Sequence, residues 1–123
     1  MKLYEIIDSK EALKKLYETS GLSFKTALAV AKNIRKTDEV LEVYEHKRKD
    51  LIMKHAEKDE NGKPVEDNGN YKIADIPSFK KEFEELVNQD ADPDIEKIKA
   101  EELENVSTLT PFEVSKILFM IEE

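Results

Sequence analysis

The stretch "FKTALAVAKNIRKTDEVLEVYEHKRKDLIMKHAEK", residues 24–58, contains neither glycine nor proline, and Ser23 directly before it is a favourable helix N-cap. We therefore predict one long helix from Phe24 to about His55 or Lys58. Along it, alternating steps of four and three residues trace a seam with coiled-coil spacing. Polar residues interrupt this seam, so we expect its later turns to pack thinly against a single partner helix. The seam positions are Val30, Ile34, Thr37, Leu41, Tyr44, Arg48, Leu51 and His55.

The partner helix is expected further along the chain, beyond a polar stretch at residues 55–73. That stretch contains two Asn-Gly pairs, and the second, Asn68-Gly69, is typical of the tight turn of a β-hairpin. Residues 77–89 then place apolar side chains on one helical face. We predict a long helical hairpin, about 24–58 and 77–89, tipped by a short β-hairpin.

The N-terminal part of the chain is predicted to begin with a strand. "KLYEII" (2–7) is rich in β-branched and aromatic residues, and "DIEKIK" (94–99), which alternates in the same way, is its candidate partner strand. A helix is predicted to follow, because Asp8 stands three residues before Glu11 in the spacing of a capping box.

The C-terminal stretch "TLTPFEVSKILFMIEE" (108–123) has a strong helix start. Thr110 can cap the helix, Pro111 suits its first position, and Glu113 completes a capping box. We expect the apolar residues of this helix to lie in the core, namely Phe112, Leu118 and Ile121.

Together these elements predict an α+β fold that is mostly helical and forms a single domain over residues 1–123. The terminal strands and helices, in residues 1–30 and 90–123, are expected to form a small body. The helical hairpin, residues 31–89, is expected to project from it.

The composition narrows the classes of function. Of the 123 residues, 39% are charged and the formal net charge is -8, which opposes direct nucleic-acid binding through phosphate neutralisation. There is no cysteine, so disulfides and thiolate metal sites are excluded. No window approaches the roughly 20 apolar residues of a membrane helix, and the first residues lack the pattern of a secretory signal. We expect a cytoplasmic protein without a membrane partner.

No residue pattern predicts a catalytic, cofactor-binding or metal-binding site. His46 and His55 fall on opposite faces of the predicted helix, so they cannot ligate one metal together. "DENGKPVEDNGN" (59–70) begins like a calcium loop but ends in asparagine, where such a loop needs a bidentate glutamate. The acidic runs "EFEE" (82–85) and "EELE" (101–104) are typical of solvated faces. We predict that the protein is not an enzyme.

The middle of the long helix is the candidate partner surface. The second helix of the hairpin is much shorter than the first and is expected to leave apolar residues uncovered. Exposed apolar residues of this kind usually mark a protein partner, and a second copy of the chain is the simplest one. We predict a homodimer or larger assembly, with a foreign protein as the alternative. The surface consists of Val40, Leu41, Val43 and Tyr44.

The order of several stretches around the long charged helix resembles that of small uncharacterised proteins encoded by bacteriophages and prophages of Gram-positive bacteria. These stretches are "MKLYEIIDSKEALKKLYET", "EKDENGKPVEDNGNYKI", "FKKEFEELVN", "IEKIKAEELENV" and "LTPFEVSKILFMIEE". The resemblance covers nearly the whole chain and carries no catalytic motif. It implies a virus-derived accessory or assembly protein in the bacterial host cytoplasm, with association with the virion as a second location.

The favoured function is therefore a non-enzymatic phage or prophage accessory protein that acts through protein-protein contacts, in assembly or in modulation of a phage or host protein. The alternative is an inhibitor whose acidic face imitates nucleic acid and occupies a host nuclease or polymerase. Carboxylates aligned on one face would favour the inhibitor, whereas carboxylates evenly mixed with lysine would favour the accessory protein.

Overall fold

The computed structural model describes residues 1–123, of which 58% are helical, and its strands are short. This confirms the predicted α+β, mostly helical fold. The helices are α1 (Leu3–Tyr17), α2 (Phe24–His55), α3 (Ile76–Val87) and α4 (Pro111–Ser115), with 3₁₀ turns at Ala100–Leu103 and Leu118–Met120. The strands are β1 (Glu66–Asp67), β2 (Asn70–Tyr71), β3 (Ile98–Lys99) and β4 (Ile121–Glu122). Contacts divide the chain into a first unit, Met1–Leu41 with Asp90–Glu123, and a second unit, Glu42–Gln89.

The N-terminal stretch predicted as a strand is the first part of α1. Its apolar residues Leu3 and Ile6 are buried, and the same helical face continues through Leu13 and Leu16. The Lys2 backbone N–H donates to the Glu5 carboxylate over 2.7 Å, which satisfies an amide at the helix start. The predicted strand and the predicted capping box at Asp8 are therefore wrong. Burial of one helical face outweighed the weak β-propensity of this segment.

The long helix α2 starts where the sequence predicts and ends at His55, the earlier of its two predicted ends. Its first turn is capped by Ser23, whose hydroxyl accepts the backbone N–H of Thr26 over 3.2 Å. No position of the predicted seam is exposed, and Val30, Thr37 and Leu41 are buried. The seam is therefore the inward side of the helix. Ala27 and Leu28, near the start of the helix, are exposed.

A fully buried asparagine, Asn33, joins α2 to the segment that precedes β3. Its side-chain Nδ2 donates to the Glu96 carbonyl over 2.9 Å, and its Oδ1 accepts the Glu96 N–H over 2.7 Å. This pair of bonds fixes the backbone just before β3. Strand β3 pairs in parallel with β4, in the register Ile98 with Ile121. The prediction that the 94–99 strand pairs with the N-terminus is thus wrong, because the N-terminus is helical.

The core of the first unit gathers apolar side chains from α1, α2, β3 and the C-terminal segment. The fully or nearly fully buried members are Ala12, Leu13, Leu16, Val30, Ile98, Ile117 and Met120. The predicted cap at Thr110 is confirmed, because its hydroxyl accepts the Glu113 N–H over 3.2 Å. Helix α4 nevertheless ends at Ser115, and the 3₁₀ turn after it turns Ile117 and Met120 inward. Phe112 and Leu118 are exposed, so their prediction as core residues is wrong, while Ile121 packs half-buried against the core.

The second unit contains the predicted helical hairpin and β-hairpin. Tyr44 of α2 meets Phe83 of α3 edge-on with ring centroids 6.4 Å apart, and His55 meets Phe79 at 5.9 Å. Later residues of α2 therefore meet earlier residues of α3, so the two helices are antiparallel. Helix α3 is capped by Asp75, whose carboxylate accepts the Ser78 N–H.

The β-hairpin turns at Asn68 and Gly69, where the backbone has φ of 53° and 83°. These positive values are those of a tight hairpin turn, so the predicted turn is confirmed. Three backbone hydrogen bonds then join Glu57, Val65 and Lys72, each residue bonding to the other two. The end of α2 is in this way tied to both sides of the hairpin.

None of the helices is both long enough and apolar enough to cross a membrane.

Candidate functional site

The four residues predicted as a partner surface do not share one exposed face. Val40 and Val43 lie three positions apart on one side of α2, where Val43 is 61% exposed and Val40 is half-buried. Leu41 is buried, and Tyr44 packs its ring against Phe83. Only Val43 is freely available to a partner.

A larger apolar surface lies in the first unit, as a groove of about 270 Å³ between α1, α4 and the C-terminal segment. We call it the apolar groove. Nine of its ten lining residues are aliphatic, and the tenth is a glutamate. They are Leu16, Ala100, Leu103, Val106, Leu109, Val114, Ile117, Leu118, Ile121 and Glu123. A groove of this composition is suited to apolar side chains rather than to a charged or strongly polar ligand.

The apolar groove is bordered by carboxylates that we call the acidic rim: Glu101, Glu122 and Glu123. They line an adjoining hollow, with which the apolar groove shares Ala100 and Glu123. None of the three carboxylates forms an ion pair, and the single cation in the hollow is Lys99. The three carboxylates outnumber that lysine, so the hollow carries a net negative charge. Glu122 also lines a neighbouring hollow, together with Lys25, Lys97 and Lys99.

One pattern in the sequence corresponds to part of this groove. Leu103, Val106 and Leu109 follow each other at intervals of three in a segment without a long helix, and all three are half-buried. They contribute one wall of the apolar groove. A period of three fits 3₁₀ and extended turns, so it predicts neither the packed face of an α-helix nor that of a strand.

The second unit has a groove of opposite charge, about 380 Å³ in volume, which we call the basic groove. Arg48 and Lys49 are its only charged lining residues, and Met53 and Tyr71 are its exposed apolar ones. The remaining lining residues are Ile52, Gly69, Asn70, Ile73 and Phe79. Arg48 has one partner, Glu45, at 3.4 Å, while Lys49 forms no ion pair. The basic groove thus combines net positive charge with exposed apolar surface.

A polar cluster lies where the end of α2 meets α3. Glu82 accepts from Lys54 Nζ over 2.8 Å, and its second oxygen lies 2.6 Å from His55 Nε2. The bond from Lys54, followed by the one with His55, holds the pKa of Glu82 below its ordinary value. His46, the other histidine, is exposed elsewhere on α2. The cluster joins two helices, and its carboxylate is bonded to a side chain near the end of α2 through each of its oxygens.

This cluster makes stability depend on pH. Because the folded-state pKa of Glu82 lies below its ordinary 4.5, ionised Glu82 stabilises the fold above that pH, and the stabilisation is lost as pH falls through the lowered pKa. We expect Glu82→Gln to lower the urea midpoint near neutral pH and to approach the wild type in acid. Glu85→Gln, on the same helix but without an ion pair, is the control and should leave the midpoint unchanged at both pH values. An equal decrease in the urea midpoint of Glu82→Gln at neutral and acid pH would contradict this role of Glu82.

In the stretch that resembles a calcium loop, residues 59–70, hydrogen bonds within the chain hold the turn. One oxygen of the Asp59 carboxylate accepts the N–H groups of Asn61 and Lys63, over 2.8 and 2.9 Å. Such a bonded turn does not need an ion for its geometry. We expect neither millimolar calcium nor a chelator to change the melting temperature, as followed by circular dichroism. An upward shift with calcium would show that the metal binds the folded chain.

No group of three or more His, Asp or Glu side chains is arranged to hold a metal ion. Comparisons with protein-family models, curated proteins and solved structures find no match to this chain.

Proposed function

We propose that this chain is a non-enzymatic phage or prophage accessory protein that works by binding another protein through its apolar groove. The phage origin rests on the resemblance in sequence. The protein-binding role rests on one observation, the aliphatic groove of about 270 Å³ with its acidic rim.

The lining chemistry supports binding rather than catalysis. Glu123 is the only titratable residue in the apolar groove, and it lies at the acidic rim. General acid-base or nucleophilic catalysis needs at least two polar groups held within hydrogen-bond reach of a reacting atom. An apolar pocket bordered by charge is instead the usual site for one anchoring side chain of a protein partner.

The charge pattern of the second unit supports this proposal over imitation of nucleic acid. Two of its carboxylates are paired with cations, Glu45 with Arg48 and Glu57 with Lys72. Glu82 from the "EFEE" run is bound by Lys54. A phosphate-like array requires unpaired carboxylates over an extended face, and these three ion pairs interrupt such an array.

The proposal is tested by photo-crosslinking in bacterial cells that carry the prophage or are infected. Leu118, which is exposed at the mouth of the apolar groove, is replaced by the photoreactive residue p-benzoylphenylalanine. The same replacement at Tyr4, exposed on α1 and outside the groove, is the matched control. We expect a discrete protein adduct from position 118 and none from position 4. No adduct, or the same adducts from both positions, would contradict the proposed function.

A further inference from the structure

We propose that the protein seated in the apolar groove is a second copy of this chain, which inserts Met53 while its Arg48 and Lys49 face the acidic rim. This inference rests on the proposed function and names the partner.

The two grooves are complementary in charge. The apolar groove is lined by one carboxylate, Glu123, and no cation, and the acidic rim adds Glu101 and Glu122. The basic groove is lined by two cations and no carboxylate. Two acidic rims would repel each other across an interface, so a contact between identical apolar grooves is disfavoured. The contact that joins opposite charges pairs the acidic rim of one copy with the basic groove of another.

The apolar side chains support the same pairing. Met53 is 39% exposed, one helical turn from Lys49 on α2. Methionine is unbranched and flexible, so it adapts to irregular aliphatic pockets such as the apolar groove. Insertion would remove Met53 and Leu118 from water together, while the flanking cations remain near the acidic rim. The apolar burial supplies affinity, and the charges select the orientation.

The pairing joins two different surfaces, which belong to different units of the chain. Each copy therefore binds the basic groove of a neighbour with its apolar groove, and its own basic groove is bound in the same way. Such a contact closes as a reciprocal dimer or a ring, or continues as a chain of copies. The assembly in solution should accordingly have at least twice the mass of one copy.

The test is sedimentation velocity across the micromolar range on the wild type and on two charge-reversal variants. One variant carries Glu122→Lys and Glu123→Lys, and the other carries Arg48→Glu and Lys49→Glu. We expect the wild type to associate and each variant alone to dissociate at least about tenfold more readily, since like charges then meet. Mixing the two variants should restore association, which also shows that both are folded.

The control reverses the same number of charges on α1 and directly after it, with Glu11→Lys and Glu18→Lys, and should associate like the wild type. A wild type that stays monomeric would overturn the inference, as would association that survives both reversals. Dissociation by Val43→Glu, with the groove variants unaffected, would place the interface in the middle of α2 and also overturn it. A foreign adduct at position 118 together with a monomeric chain would retain the proposed function and reject the second copy.

Discussion

Asn33→Ala is expected to lower the free energy of unfolding by about 2–4 kcal/mol, one of the two largest effects that we predict for a single residue. The substitution removes both hydrogen bonds to the Glu96 backbone and leaves a cavity at a site with no exposed surface. Each lost bond is worth about 1 kcal/mol, and a polar backbone group left without its partner adds to the cost. Urea unfolding monitored by circular dichroism gives the change directly.

A matched control for Asn33 lies one turn further along α2. Lys36 also reaches the segment before β3, donating to the Asp94 carbonyl, but does so at the exposed surface. Lys36→Ala should cost less than about 1 kcal/mol, because exposed polar contacts are offset by water. If Asn33→Ala were as mild as Lys36→Ala, the backbone before β3 would not depend on the buried amide.

Asn33→Asp tests the same pair of hydrogen bonds through the dependence of stability on pH. The carboxylate keeps the acceptor for the Glu96 N–H but loses the donor, and it places a negative charge against the Glu96 carbonyl. We expect a loss at neutral pH at least as large as that of Asn33→Ala, because a buried charge without a partner is costly. The loss should decrease in acid, where protonation restores a donor. A loss independent of pH would contradict this geometry.

The other large expected effect is that of Ile117→Ala, which should lower the free energy of unfolding by about 3–4 kcal/mol. Ile117 has no exposed surface and belongs to the core of the first unit. Truncation removes three carbons from a packed site and leaves a cavity that its neighbours cannot fill completely. The midpoint and slope of urea unfolding measure the loss.

Leu118, the next residue, provides the control. It is 54% exposed, so Leu118→Ala should cost less than about 1 kcal/mol. The comparison tests the direction in which the C-terminal segment faces, since the helical pattern alone predicted Leu118 as the core residue. A larger loss at Leu118 than at Ile117 would show that the segment packs in the opposite orientation.

Features that depend on a few neighbouring residues could be predicted from the sequence. The cap at Ser23, the cap at Thr110 and the hairpin turn at Asn68-Gly69 are each made by side chains and backbone within three residues. The uninterrupted stretch of α2 is local in the same sense, because no glycine or proline breaks its ladder of hydrogen bonds. Its seam also predicted the inward side, since a helix has only one way to place residues at those intervals.

The candidate site could be predicted from the sequence much less well than the helices. Of the predicted partner residues, Val43 is exposed, but Leu41 and Tyr44 face inward. Whether an apolar residue on α2 is covered depends on the position of α3, which comes more than 30 residues later in the chain. The apolar groove combines Leu16 of α1 with nine residues between Ala100 and Glu123, and those nine follow no single helical or strand period.

By itself the sequence determined where the long helix begins, where the hairpin turns, and that the fold is mostly helical, because those outcomes are fixed by local hydrogen bonding and side-chain periodicity. Only the tertiary structure decided that residues 3–7 are helical, that β3 pairs with β4, and that Ile117 rather than Leu118 is buried. These choices were settled by burial against distant segments, whose gain in free energy exceeds the local preferences of a few residues.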